Sequence, residues 1–121
     1  MKFSHLALPV PDAQRAWAFY RDVLEVKGEE REVEDGLLVT TSDGFVLAFI
    51  EGEPTPGDGR LHFGFSRETG DEVREVRAHL QEHGAREADW IDMDGFVSMK
   101  FHDPDGYVVE VFGNRREGDR Q

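Results

Sequence analysis

The chain has 121 residues, of which 26 are Asp or Glu and 14 are Lys or Arg, giving a formal net charge of −12. That length supports one compact domain or two very small halves sharing a core, and 38% hydrophobic residues is too many for a disordered acidic chain. The charge opposes nucleic-acid and anionic-membrane partners, and the lack of cysteine excludes disulfides, thiolate metal sites and cysteine nucleophiles. The opening MKFSHLALPVPDAQ reads as neither a signal peptide nor a membrane span, so a cytoplasmic protein is the expectation.

In chain order, Phe3 to Leu8 reads as a strand stopped by Pro9 and Pro11, and Asp12 as a helix N-cap. Ala13, Ala16, Trp17, Tyr20, Val23 and Leu24 recur at helical spacing, with Gly28 placed just beyond the helix end. The charged run GEEREVED is a poor strand by pattern, with at most a short edge at Glu32 to Glu34. Gly36 to Thr41 and Phe45 to Ile50 form a hairpin around Ser42-Asp43-Gly44, and EGEPTPGDGR marks a linker. The order then repeats. Leu61 to Ser66 is a strand, and Thr69 to His83 a helix with Val73, Val76 and Leu80 inward and Gly84 as its stop. Arg86 to Ile91 is a weaker strand, and Phe96 to His102 pairs with Tyr107 to Phe112 around Asp103-Pro104-Asp105-Gly106. The tail GNRREGDRQ has no apolar content and is expected to fray. The chain therefore reads as βαβββ twice, an α+β protein with halves at about 1–52 and 60–113 and a tail at 114–121.

Laying FSHLAL over RLHFGF puts His5 on His62, and laying DGFVLAF over DGYVVEV puts Ala48 on Glu110. Strands related in this way would bring His5, His62 and Glu110 together. Two imidazoles and a carboxylate form a facial triad that suits a divalent ion (Fe, Mn, Zn or Ni) with open positions for substrate oxygens. Alternation puts Val108, Glu110 and Phe112 on one face of their strand, with Val109 and Val111 toward the helices. On VSMKFH, Ser98, Lys100 and His102 share one face. Lys100 is a catalytic candidate that could pair with the carboxylate, steer an anionic substrate or act as an acid. It could equally reach the rim and do nothing chemical. Trp90, Ser98, Phe45 and Phe112 are candidates for a substrate pocket. His79 and His83 read as a solvated helix end, and His102 as a rim or turn residue.

FSHLALPVPDAQRAWAFYRDVLE, LHFGF and above all FHDPDGYVVEVF resemble the vicinal oxygen chelate superfamily, also called the glyoxalase/bleomycin resistance protein/dioxygenase family. The resemblance implies one glyoxalase-like domain over 1–121, of the glyoxalase/bleomycin resistance/dihydroxybiphenyl dioxygenase-like fold. It also implies an intertwined homodimer, with sites commonly built from both chains. His5, His62 and Glu110 would be the metal ligands, in a lyase, transferase or dioxygenase acting on an oxygenated small molecule. The first glutamate of glyoxalase I falls on Ala48, which disfavours that activity. A fosfomycin-type reading meets Ala7, Trp90 and Lys100 where that group carries threonine, lysine and tyrosine. The competing expectation is a metal-free small-molecule binding or antibiotic-resistance protein, and a third is a structural dimer with a degenerate site.

Overall fold

A computed structural model of the chain describes residues 1–114; apart from Asn114, the expected tail lies outside the described residues. Two units divide the chain, Met1–Thr55 and Pro56–Gln121. Each is a βαβββ module. The first runs β1 (His5–Val10), α1 (Ala13–Ala18), a π-helical stretch (Phe19–Val23), β2 (Gly28–Val33), β3 (Gly36–Thr41) and β4 (Val46–Glu51). The second runs β5 (Phe63–Ser66), α2 (Gly70–Glu82), β6 (Arg86–Met93), β7 (Phe96–His102) and β8 (Val108–Gly113). Their sheets share one topology, β1-β4-β3-β2 and β5-β8-β7-β6, with the first strand parallel to the last and the other pairs antiparallel.

In the first unit the Asp12 carboxylate accepts the Arg15 backbone N–H at 3.1 Å and starts α1. Ala13, Ala16, Trp17 and Tyr20 are buried, with the Trp17 and Tyr20 rings 6.4 and 5.7 Å from Phe49 of β4. Trp17 also donates its indole N–H to Glu30 at 2.8 Å, which ties the charged strand β2 to the helix. Three expectations are corrected here. β1 continues through Pro9 to Val10, because it is an edge strand where a missing N–H costs no ladder bond. The helical segment turns off at Glu25 (φ +62°), where Val26 N–H reaches back to Tyr20 O at 2.8 Å, not at Gly28. GEEREV is a full six-residue strand, because pairing with apolar β3 overrides its composition.

In the second unit a capping box starts α2. Thr69 accepts the Glu72 N–H, and the Glu72 carboxylate accepts the Thr69 N–H at 3.2 Å. Gly84 (φ +73°) ends the helix as expected. Gly70 sits against β7, where an added Cβ would lie 2.6 Å from Val97 Cγ2. Val73 and Leu80 are buried beneath the helix, and Val97, Met99, Phe101, Val109 and Val111 are among the buried residues of β7 and β8. Around this apolar layer, Arg74 holds Asp92 through two bonds of 3.1 and 2.7 Å and Arg77 holds Glu87 through bonds of 2.7 and 3.1 Å. Among the described residues, no helix is long and apolar enough to cross a membrane.

The Arg74 hydrogen bonds hold the Asp92 carboxyl below its ordinary range. A lowered carboxyl pKa adds stability above the unfolded value and loses it as pH falls through the folded value. Asp92→Asn should therefore lower the melting temperature at neutral pH and flatten its decline below about pH 4. Parallel melting curves for the two proteins across that range would contradict the assignment.

Candidate functional site

Each sheet has one face under its helix and one free of helix. In the second unit the pairings Gly64↔Glu110, Lys100↔Glu110 and Ser98↔Phe112 place Gly64, Ser98, Lys100, Glu110 and Phe112 on the helix-free face. Glu110 is the centre of that face. Its Oε2 accepts the Ser98 hydroxyl at 2.5 Å, and its Oε1 lies 3.2 Å from Nε2 of His62. His62 places its other ring nitrogen 3.2 Å from the Arg60 carbonyl, which fixes the ring plane. Ser98 is 3% exposed, so its hydroxyl is committed to the carboxylate and not to solvent.

Gly64 sets the spacing of this cluster. A Cβ there would stand 2.7 Å from the Glu110 carbonyl oxygen and 3.2 Å from Glu110 Cβ. β5 thus lies against β8 because residue 64 has no side chain. Beside Glu110, Lys100 is half-buried and makes no ion pair or side-chain hydrogen bond among the described residues. Phe112 is also half-buried, its ring 6.4 Å from Phe96, a residue the sequence reading missed. The period-2 run Phe96, Ser98, Lys100, His102 carried the signal for it.

The remaining candidates are Trp90, Phe45 and His5. Trp90 is corrected: it pairs with Met99 on the helix side of the sheet, and the Arg77 guanidinium of α2 lies 4.0 Å from its ring centroid. Phe45 belongs to the first unit, its ring 5.7 Å from that of Phe3. His5, also in the first unit, has Nδ1 2.9 Å from the Ser4 hydroxyl. The register partners around the repeat equivalent of Glu110 are all apolar there: Ala48 pairs with Ala7 and Leu38.

The expected metal centre is corrected as well. Among the described residues, no group of three or more His, Asp or Glu side chains is gathered so as to hold a metal ion. His62 and Glu110 meet as a pair, but equivalent repeat positions do not give His5 a carboxylate neighbour within its own sheet. The expectation of an Fe, Mn, Zn or Ni ion on His5, His62 and Glu110, and of a metal-dependent lyase, transferase or dioxygenase built on it, therefore does not hold.

The sequence model of the glyoxalase/bleomycin resistance protein/dioxygenase superfamily matches residues 2–111. The chain belongs to that superfamily. Among solved members of similar fold is a possible glyoxalase from Bacillus cereus (TM-score 0.77, 22% identity, covering 92% of this chain and 97% of that one). The fosfomycin resistance protein FosX from Listeria monocytogenes is similar at TM-score 0.77 and 20% identity, with 93% of each chain covered. Lactoylglutathione lyase from Agrobacterium tumefaciens is similar at TM-score 0.69 and 22% identity, covering 93% of this chain and 92% of that one. At these identities the likeness establishes the superfamily fold, two βαβββ modules, and no shared ligand. No curated protein matches the chain.

The close approach of β5 to β8 is directly testable. Gly64→Ala should cost about 1–3 kcal/mol in urea denaturation, because the methyl must displace backbone and not a flexible side-chain tip. Unchanged stability would show that β5 and β8 are not held at this distance.

Proposed function

We propose that the protein binds a small organic molecule on the helix-free face of its second unit and holds it without converting it, in the manner of a binding or resistance protein. The observation that carries this reading is the asymmetry between two modules of identical topology. Ala7, Ala48 and Leu38 stand in the first where Gly64, Glu110 and Lys100 stand in the second. A scaffold gains nothing in stability by replacing that apolar trio with a partly buried carboxylate and an unpaired ammonium. Ser98 and His62 fix both carboxylate oxygens, so Glu110 is a preorganised hydrogen-bond acceptor. In this reading Lys100 is a binding group, and Phe112 with Phe96 supplies the apolar wall.

A screen of small molecules by protein-observed NMR tests this. Bound compounds should shift backbone signals of β7 and β8, and Phe112→Ala should weaken them about tenfold, equivalent to roughly 1.4 kcal/mol. Ligands that bind elsewhere, or turnover of a bound compound, would overturn the reading.

A homodimer in a cytoplasmic setting is part of the same proposal. Phe3 and Leu61 are 83% and 90% exposed, and Ala7 is exposed on the helix-free face of the first unit, apolar surface that a second copy would cover. Sedimentation equilibrium should give twice the chain mass, and Phe3→Ser combined with Leu61→Ser should shift the protein toward monomer. A wild-type protein that is monomeric at high concentration would refute this part.

A further inference from the structure

The small-molecule reading leaves the ligand's chemistry open, and the layout of the second unit's face narrows it. Along β7 the helix-free positions run His102, Lys100, Ser98 and Phe96, with the ammonium toward one end and an aromatic ring at the other. At about 3.3 Å per residue, Lys100 and Phe96 are roughly 13 Å apart along the strand. Ser98 lies between them with Phe112 opposite on β8, and the Phe112 ring faces that of Phe96 at 6.4 Å. The apolar end is thus a pair of rings, and Ile91 of β6 extends it opposite Ser98.

The charged end holds three groups. Lys100 pairs across the sheet with Glu110 on one side and Asp89 on the other. Both carboxylates are already engaged. Glu110 is held by Ser98 and His62, and Asp89 accepts the backbone N–H of Trp90 at 3.0 Å. Neither forms an ion pair with Lys100 among the described residues. Among the described residues Lys100 therefore stands half-buried with three N–H donors and no hydrogen-bonded acceptor, two residues along β7 from the Ser98–Phe112 pair.

Resting on the binding proposal above, we infer that the ligand is an organic monoanion with a flat apolar body, of the arylalkanoate class. Its carboxylate pairs with the Lys100 ammonium, and its ring lies on Phe96 and Phe112. The flanking carboxylates exclude di- and trianions by repulsion, which limits the ligand to a single negative charge.

Three probes of one skeleton separate charge from shape: 3-phenylpropionate, 3-phenylpropan-1-ol and 3-phenylpropylamine, titrated by calorimetry with NMR mapping. The acid should bind at least about tenfold more tightly than the alcohol, and the amine should bind least. Lys100→Met should bring the acid's affinity down to that of the alcohol, and Lys100→Arg should restore the difference. Phe112→Ala should weaken acid and alcohol alike. If the alcohol or amine equals the acid on this face, or Lys100→Met leaves the acid's advantage intact, the ligand class is wrong while the binding reading stands. If the probes fail and the wider screen finds no ligand on β7 and β8, both fall.

Discussion

The parallel pairing of the first strand of each module with its last is the constraint on which the site depends. It places segments 41 residues apart in the first module and 46 apart in the second side by side, with the rest of the module looping between them. In the second module this pairing brings His62 to the Glu110 carboxylate, and it can be that close because Gly64 has no side chain to hold the strands apart. The antiparallel β7–β8 pairing then adds Ser98 and Lys100 from the other side. Ser98 and Lys100 are thus set beside Glu110 by ladder register, and His62 is held just before β5 by the Arg60 carbonyl.

Identical topology carries different chemistry in the two modules. The first has the same strand order without the polar centre, and there His5 meets the neighbouring Ser4 hydroxyl. Its charged strand is β2, where Glu30 accepts the indole N–H of Trp17. In the second module the ionic groups divide by face. Arg74 and Arg77 bind Asp92 and Glu87 on the helix side, and Lys100 and Glu110 occupy the other. Ionic groups that hold α2 on the sheet are thereby kept away from those that meet a ligand.

Much of this could be read in the residues, for identifiable reasons. Helical spacing located Trp17, Tyr20, Val73 and Leu80, and period-2 alternation separated Met99 and Phe101 from Ser98 and Lys100, because both patterns are local. The repeat found His62 and Glu110 because it fixed which strands correspond. What the sequence hid was non-local. GEEREV became a strand only through pairing with β3, and the helix ended at Glu25 through a backbone bond no composition announces. The face that Trp90 takes was not legible, because a lone aromatic on an acidic edge strand carries no periodic signal. Its side follows from a register across β7 that contains a bulge between Glu87 and Asp89.

The two tryptophans bear on how the protein can be observed. Trp17 is 1% exposed beneath α1, and Trp90 stacks under Arg77 on the helix side of the second sheet. Each module therefore carries one indole in its own structural layer, and in the second module that indole is on the opposite face from Glu110. Intrinsic fluorescence can follow the melting of each module separately through single-tryptophan variants. It is a poor reporter of anything that settles on the Glu110 face, so an optical screen would miss ligands that NMR or calorimetry would see.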